Sequence, residues 1–351
     1  MKIGYLLDTH GGPYNMPPPT STQVTTFIDH LWREAEVAEQ TGFDSLMVPE
    51  RHVRTECLFP SPLLLLAGLA TRTTRIRLGT YILILPLYDP VHIAEQMAMI
   101  DLMSNGRLIC GVASGYHPDY HNAFAIPMKG GRQRFEEGLE VMKLAWAQER
   151  FSFHGQSLRY DNVRLTPKPL QHPHPELWLG GMFPYTIQRA GRSGDAWCSD
   201  PFPLQKETWK SQVALYREAA VKAGRKSLVV LMRDGWVAPT RAEAERVFGD
   251  LYVQELLFYY RYGILTHHPD FRSEADFTVA NCFRHAVTGS PQECVEQLAM
   301  YQRDYDVDYV VMRFRLPAGP EHGRVPDCIR LFGEEVLPRF RDGTARRNPT
   351  G

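Results

Sequence analysis

Ionisable and hydroxyl side chains of this sequence recur directly after short apolar runs that are typical of β-strands. They are Asp8, His10, Glu50, Arg51, His52, Ser114, Tyr116 and His117. Histidine exchanges protons near neutral pH because its ordinary pKa is about 6.5, and arginine pairs with anions through a planar set of donors. A loop that only connects two elements does not need such side chains. The pattern therefore indicates acid–base and anion-binding chemistry at strand ends.

Motifs of several common enzyme classes are missing from the sequence. It contains no G-x-G-x-x-G, Walker loop or H-E-x-x-H, and no G-x-S-x-G. A Rossmann dinucleotide site, a P-loop nucleotide site, a zincin and an α/β-hydrolase are therefore not indicated.

The sequence gives little support for metal or disulfide chemistry. His117 and His121 are four residues apart, but Pro118 places them in a loop and no convincing third ligand is near in sequence, so we expect no metal site. The six cysteines are scattered without C-x-x-C spacing, which is typical of reduced thiols in a cytoplasmic protein.

Short β-type runs alternate with amphipathic helical segments along the whole chain. The predicted strands are Lys2–Leu7, Asp44–Val48, Arg75–Leu85, Gly106–Ala113, Glu176–Gly180, Asp195–Cys198, Leu228–Val237 and Tyr309–Phe314. Eight such strand–helix units predict an α/β fold, a single (β/α)8 TIM barrel with insertions after strands four, five and seven. We expect this domain to span residues 1–341, followed by a polar, flexible tail at 342–351. The active site of such a barrel lies at the C-terminal ends of its strands.

Charge and hydropathy exclude several kinds of partner. The 39 Lys and Arg residues nearly balance the 40 Asp and Glu residues, so no large basic surface is predicted for nucleic acid or membranes. The N-terminus reads as a barrel strand rather than a signal peptide, and the apolar run Leu63–Leu66 is far too short to span a bilayer. We therefore expect a cytoplasmic protein.

Several blocks of the sequence resemble one family in the same order along the chain. The central block is IRLGTYILILPLYDPVHIAEQMAMIDLMSNGRLICGVASG, residues Ile76 to Gly115. The others are GFDSLMVPERH, RFEEGLEVMKLAW, PELWLGG, RAGRSGDAW and GSPQECVEQL. Together they resemble the bacterial luciferase-like flavin-dependent monooxygenase superfamily over most of the chain. ASGYHP, residues Ala113 to Pro118, is also similar to a subgroup associated with natural-product biosynthesis.

The resemblance implies a flavin site between the loops after strands four and five. Its phosphate would be bound by Gly180, Gly181, Met182, Phe183 and Thr186, where backbone N–H groups and a helix dipole favour an anion. Ser114 and Tyr116 would flank the phosphate and the flavin ring. Tyr81 and Ile82 match the position where relatives carry an often cis non-prolyl peptide under the ring.

The chain departs from the family pattern at two places. Relatives often carry an arginine at the position of Ser114, so here the phosphate charge must be met by backbone, by His117 or by another cation. Luciferase-type enzymes use the first histidine of Glu-His-His near the flavin, and Arg51 occupies that place. The candidate catalytic residues are therefore His52, His10, Arg51 and His117. Arg51 or Arg313 could pair with an anionic group of flavin or substrate.

Other polar residues and one aromatic segment receive structural interpretations. Asp101 and Arg107 are expected to pair with each other, and Asp195 is expected to be structural. The segment Leu257–Ile264 reads equally well as a lid over the pocket or as a core-facing helix stripe.

The leading functional hypothesis is a two-component monooxygenase. Reduced FMN, supplied by a separate flavin reductase, would be used with oxygen to oxygenate a small organic substrate, and the protein would be a homodimer. The alternatives are a deazaflavin-dependent hydride-transfer oxidoreductase, whose cofactor has a long acidic tail, and a non-catalytic flavin-binding barrel subunit.

Overall fold

The computed structural model describes residues 1–341 and contains a closed parallel barrel. Its strands are β1 (Lys2–Leu6), β2 (Ser45–Val48), β3 (Arg77–Thr80), β4 (Leu83–Ile84), β5 (Leu108–Ala113), β6 (Phe151–His154), β7 (Arg159–Val163), β8 (Glu176–Gly180), β9 (Ala196–Cys198), β10 (Val229–Val237), β11 (Val287–Gly289) and β12 (Tyr309–Arg313). The hydrogen-bonded order β10-β12-β1-β2-β3-β5-β8-β9 is closed by pairing of β9 with β10. These eight strands confirm the predicted (β/α)8 barrel.

Helices surround this barrel. They are α1 (Ser21–Thr41), α2 (Pro62–Arg72), α3 (Pro90–Met103), α4 (Pro118–Ala123), α5 (Gly131–Ala147), α6 (Pro184–Ser193), α7 (Lys206–Lys222), α8 (Arg241–Arg261), α9 (Val279–Cys282), α10 (Pro291–Asp304), α11 (Val325–Glu335) and α12 (Pro338–Arg341). In the described part of the chain, no helix is long and apolar enough to cross a membrane.

Strand alternation sorts the barrel side chains into two layers. One set fills the barrel interior, and its members include Leu6, Met47, Ile109, Trp178, Val230, Met232, Tyr309 and Val311. The alternate residues pack outward against the helices. Because side chains on a strand repeat with a period of two, polar residues in phase with the interior set reach the centre of the barrel mouth.

Two of the three predicted insertions are present. After β5 the chain forms the short helix α4 before α5, and after α8 it runs through residues 262–286 before β11. The insertion predicted after strand five is wrong, because α6 alone connects β8 to β9. The proline-rich residues 149–175, which form the β6–β7 hairpin, precede β8 instead. The tail 342–351 lies outside the described residues.

The expected pairing of Asp101 with Arg107 is wrong. Asp101 accepts hydrogen bonds from the backbone and side chain of Gln171, whereas Arg107 donates to the backbone carbonyls of Ala70 and Ile76, among others. Each side chain ties a loop to the barrel, but through a different partner. Asp195 is structural as expected, since it accepts from the Leu177 N–H.

Candidate active site

A cis peptide bond interrupts the third barrel strand at its C-terminal end. The bond joins Tyr81 to Ile82, between β3 and β4, at the position that the family resemblance singled out. The Tyr81 hydroxyl is buried and donates to the Ser199 carbonyl at 2.5 Å, which connects this strand to the loop after β9. The end of β8 adjoins the same place, because a Cβ added at Gly180 would lie 3.0 Å from Ile82 Cδ1.

Glu50 holds this region together from the loop after β2. Its buried carboxylate accepts hydrogen bonds from the Ile84 backbone N–H and the Tyr88 hydroxyl, and His52 Nε2 lies 2.6 Å from its Oε1. His52 is therefore oriented by a carboxylate, as imidazoles that handle protons commonly are. The sequence indicated Glu50 only as the first residue of the polar run Glu50, Arg51 and His52. Its contact with β4 is seen only in the tertiary structure.

His52 and His117 share one aromatic cluster. The His52 ring packs edge-on against Tyr120 at 5.6 Å and against Phe124 at 4.7 Å. The His117 ring also contacts Tyr120, on which it stacks with 4.8 Å between the ring centroids. Burial and the Arg54 guanidinium lower the pKa of His117 below its ordinary value, so this ring is neutral at physiological pH. Two of the predicted catalytic residues are thus close together.

The predicted loop position holds for His117 but is wrong for His121, which lies within the short helix α4. His117 caps the N-terminus of the short helix α4, where its Nδ1 accepts from the Asp119 N–H at 3.3 Å. His121 Nδ1 lies 3.2 Å from the Ile126 carbonyl oxygen instead. The two histidines are therefore engaged with separate backbone groups.

His10 and Arg51 form a second group around Asp8. Asp8 Oδ1 lies 2.7 Å from His10 Nδ1 and 3.3 Å from Arg51 Nη1. His10 Nε2 is buried and has no hydrogen-bond partner. Burial and the neighbouring Arg51 charge lower the pKa of His10 to about 4, so at neutral pH this ring can serve only as a neutral donor or acceptor.

Arg313 is not available for an anionic ligand, contrary to expectation. Its Nε and Nη2 donate to Asp234 at 2.6 and 3.0 Å, Nη2 also donates to Glu255 at 3.0 Å, and Asp8 lies 3.6 Å away. Burial raises the pKa of Glu255 to about 7 despite the Arg313 charge. Sequence reasoning missed Asp234 and Glu255. The signal for Asp234 was the charged pair Arg233 and Asp234 inside the otherwise apolar strand VVLMRDGWV.

The segment Leu257–Ile264 has features both of a core-facing helix stripe and of a lid over the pocket. Leu257, Tyr259, Tyr260 and Ile264 pack partly buried against the core. Phe258 stacks on Tyr14 at 4.0 Å and so covers the loop after β1.

The loop after β8 has the geometry of an anion cradle. Phe183 is the N-cap of α6, and the Thr186 hydroxyl accepts from its N–H at 3.1 Å and donates to its carbonyl at 2.8 Å. A Cβ at Gly181 would lie 2.6 Å from Thr186 Oγ1, so only glycine allows this close turn. In this turn the Gly181 N–H donates to the Cys198 carbonyl and the Phe183 N–H to Thr186, which leaves the Met182 N–H at the N-terminus of α6 for a ligand. The side chains of Met182 and Phe183 are exposed.

Arg189 supplies a cation beside this cradle. It is buried in α6, and its Nη2 donates to Ser114 Oγ at 3.4 Å. Its Nε and Nη1 have no hydrogen-bond partner, although Glu136 Oε1 lies 3.8 Å from Nη1. Sequence reasoning assigned no role to Arg189. The only feature that could have indicated it is a charged residue in a stretch that also contains the apolar residues Ile187 and Ala190. Tyr116, by contrast, is exposed and contacts the ring of His117 at 6.1 Å.

Comparison with known proteins places the chain in a family. Residues 1–306 match the luciferase-like monooxygenase family. The oxygenase component of flavin-dependent trigonelline monooxygenase from Acinetobacter baylyi is 23% identical over 343 residues, 91% of each chain. The 4-hydroxyprotoasukamycin monooxygenase of Streptomyces nodosus subsp. asukaensis is 28% identical over 326 residues, 88% of this chain and 87% of that protein.

Solved structures share the whole architecture. Monooxygenase RslO1 from Streptomyces bottropensis has a TM-score of 0.81 at 26% identity, covering 97% of this chain and 100% of its own. The oxygenating constituent of Pseudomonas putida 3,6-diketocamphane monooxygenase, solved with FMN, has a TM-score of 0.80 at 21% identity, covering 97% and 98%. The coenzyme F420-dependent tetrahydromethanopterin reductase of Methanopyrus kandleri shares the fold at a TM-score of 0.75 and 18% identity, covering 97% and 99%. The chain therefore belongs to the luciferase-like monooxygenase family, and its class of activity is that of a flavin-dependent monooxygenase.

Proposed function

We propose that this protein is the oxygenase component of a two-component system that takes reduced FMN from a separate reductase and oxygenates a small organic substrate with O2. The observation that carries the proposal is Arg189, a buried guanidinium with two unpartnered nitrogens beside Ser114 and the N-terminus of α6. A buried cation without a full set of acceptors favours an anion as its partner. The flavin phosphate is such an anion.

The residues around Arg189 fit this phosphate. Ser114 would donate its hydroxyl, and Met182 would contribute its backbone N–H where the dipole of α6 favours negative charge, while Gly181 allows the phosphate to approach the backbone closely. Thr186 holds the Phe183 N-cap in place for this purpose. Arg189 thus takes the place of the arginine that relatives carry at the position of Ser114.

The reacting centre lies toward the barrel axis in this proposal. When bound, reduced FMN supplies the reaction with O2 from which one oxygen atom passes to the substrate. Tyr81 and Ile82 would support the ring, because they adjoin Gly180 at the end of β8. His52, oriented by Glu50, would hold or release a proton near the ring, and His10 with Arg51 would line the neighbouring wall. The apolar Phe124 beside His52 would help to exclude water.

FMN is favoured over a deazaflavin by the cavity next to Gly181. This cavity of about 210 Å³ is lined by Met182, Asp200, Gln205 and His267, among others, and has no lysine or arginine among its lining residues. An acidic cofactor tail that leaves the phosphate in this direction would meet Asp200, and Arg233, the cation that acts on this carboxylate, is buried and donates to the Met232 and Phe202 carbonyls. A cofactor that ends at its phosphate has no such cost.

A homodimer is proposed from exposed apolar side chains on adjacent helices. Leu64 on α2 and Met99, Leu102 and Met103 on α3 are exposed, and α2 packs beside α3. Met99, Leu102 and Met103 lie at i, i+3 and i+4 on one face of α3, and exposed apolar side chains that cluster in this way commonly mark a protein interface.

Anaerobic titration tests the cofactor assignment. We expect reduced FMN to bind at least tenfold more tightly than reduced riboflavin, which lacks the phosphate, and F420 to bind more weakly than reduced FMN. Air should then oxidise the bound reduced FMN. Tight binding of F420 with a bound reduced form that is inert to oxygen would overturn the proposal in favour of hydride transfer.

A further inference from the structure

Two histidines and one aspartate cluster in the segment between α8 and β11, and none of the groups assigned above uses them. His268 and Asp270 belong to the loop after α8, and His285 lies two residues before β11. One side-chain ligand atom from each of the three residues lies within 4.8 Å of the other two. Residues that are 17 positions apart in sequence are therefore brought to one point by the fold of this insertion.

Both imidazoles are buried with polar atoms left over. His268 is 6% and His285 8% exposed, and the Nε2 atom of each has no hydrogen-bond partner. His285 Nε2 lies 3.0 Å from Asp270 Oδ2, but the contact lacks hydrogen-bond geometry. Buried nitrogens are rarely left without a partner, so this arrangement favours a further group between the three side chains.

The donor set is one that divalent transition metals prefer. Two imidazoles and a carboxylate bind Zn²⁺ at about 2.0–2.2 Å, which brings ligand atoms to roughly 3 Å from each other. The 3.0 Å between His285 Nε2 and Asp270 Oδ2 agrees with that spacing. His268 Nδ1 accepts from the Asp270 N–H at 3.2 Å, so binding of an ion through His268 Nε2 requires this contact to open and the ring proton to move to Nδ1.

Two arginines near the cluster limit the choice of ion. Arg284 Nη2 lies 3.6 Å from Asp270 Oδ2, but its exposed side chain also donates to Asn281 Oδ1 and can move into solvent. The charge of Arg233 acts on His285 as well. These cations disfavour Mg²⁺ and Ca²⁺, which depend on clustered negative oxygens. An ion held by imidazole nitrogens is less dependent on net charge.

We propose that His268, Asp270 and His285 bind one divalent transition-metal ion of the Zn²⁺ class. Three protein ligands leave a fourth position for water. His268 also lines the cavity of about 210 Å³ beside Gly181, which gives a hydrated ion a route to the site. The ion ties the loop after α8 to the start of β11 and so stabilises the insertion.

Cobalt titration of untagged, chelator-treated protein tests this proposal. We expect the wild-type chain to bind one equivalent of Co²⁺ with the visible absorption of a four- or five-coordinate ion, and excess Zn²⁺ to abolish it and raise the Tm. His285→Gln should weaken Zn²⁺ binding more than about tenfold, since even groups outside the ligand sphere contribute that much. The matched control is His267→Gln, which changes the histidine next to His268 and should bind as wild type does.

Three results would overturn the metal site. They are a wild-type chain without the Co²⁺ absorption, equal affinity in wild type and His285→Gln, and equal loss of affinity in His267→Gln. Circular dichroism checks that each variant is folded. If His285→Gln does not fold, Asp270→Asn, which keeps the size of the side chain, gives the same comparison.

Discussion

Arg189 of α6 reaches across to Ser114 at the end of the neighbouring strand β5, and their side chains meet at 3.4 Å. The guanidinium lies over the Phe135 ring at 4.0 Å, and two of its nitrogens have no hydrogen-bond partner. Burial lowers the pKa of Arg189 to about 10, so the side chain stays charged at neutral pH. A charged group kept in this environment without enough acceptors indicates an anion site next to Ser114.

Arg189→Met is therefore expected to weaken FMN binding by about 10- to 100-fold, because hydrogen bonds to charged groups contribute roughly 1.5–3 kcal/mol. Riboflavin binding should change little, since riboflavin has no phosphate. The Tm of the cofactor-free protein should not fall, because the substitution removes an incompletely paired buried charge. Fluorescence titration with both flavins measures the difference. Arg192→Met, on the exposed side of the same helix, is the matched control, and equal losses for FMN and riboflavin would contradict the assignment.

Thr186→Ala should lower FMN affinity without unfolding the barrel. The hydroxyl bonds both the N–H and the carbonyl of Phe183, so its loss frees the N-cap of α6. We expect the free energy of unfolding to fall by about 1 kcal/mol, the usual contribution of a cap. Thr186→Ser retains the hydroxyl and should behave as wild type in both calorimetric titration and urea denaturation. Unchanged FMN affinity in Thr186→Ala would remove Thr186 from the phosphate site.

Glu50→Leu is expected to destabilise the protein by about 2–4 kcal/mol, because it leaves the Ile84 N–H and the Tyr88 hydroxyl without their acceptor. Glu50→Gln keeps an acceptor oxygen and should cost less. Urea denaturation followed by tryptophan fluorescence compares the two variants. Glu36→Leu, on the surface of α1, controls for the loss of a carboxylate in general. Similar stability of Glu50→Leu and Glu36→Leu would show that Glu50 does not hold β4.

The titration of Glu255 predicts a particular dependence of stability on pH. The folded chain keeps Glu255 protonated up to pH about 7, whereas the unfolded chain ionises it near the ordinary value of 4.5. The folded state therefore binds more protons in this interval, and stability falls as pH rises from 4.5 to 7. Glu255→Gln lacks this titration, so its Tm relative to wild type should rise over the interval and stay constant above it.

His10 makes stability rise with pH, which is the opposite direction to Glu255, because its folded pKa of about 4 lies below its ordinary value. Its contribution is present in both proteins and cancels in the Tm difference between Glu255→Gln and wild type. Calorimetry across the pH range measures that difference. A difference that does not change between pH 4.5 and 7 would show that Glu255 titrates normally in the folded protein.

Leu64→Arg is expected to convert the proposed homodimer to monomers at micromolar concentration. Leu64 is 69% exposed on α2, and a buried unpaired arginine in an interface opposes association. Val221→Arg is the matched control, since Val221 is 75% exposed on α7, away from the α2–α3 face. Analytical ultracentrifugation gives the oligomeric state. An unchanged sedimentation coefficient for Leu64→Arg would place the interface elsewhere.

The sequence predicted the barrel closely because each strand–helix unit carries its own local pattern. The interval Glu176–Gly180 was predicted with the bounds that the structure has, and the other barrel strands differ by a few residues at their ends. The third strand was predicted as one run, Arg75–Leu85, but the cis peptide at Tyr81–Ile82 divides it into β3 and β4. The insertion expected after strand five is absent, because α6 alone leads from β8 to β9.

By itself, the sequence determined the alternating elements, the family and the loops in which chemistry could occur, because these depend on side-chain period and on motifs within a few residues. Only the tertiary structure decided which polar groups share a site. Arg189 and Ser114 are 75 positions apart, and Arg313 and Glu255 are 58 apart. The barrel register and the packing of α6 and α8 bring these pairs together. Whether a buried charge is paired, as in Arg313, or left for a ligand, as in Arg189, depends on those long-range contacts and on the water that they exclude.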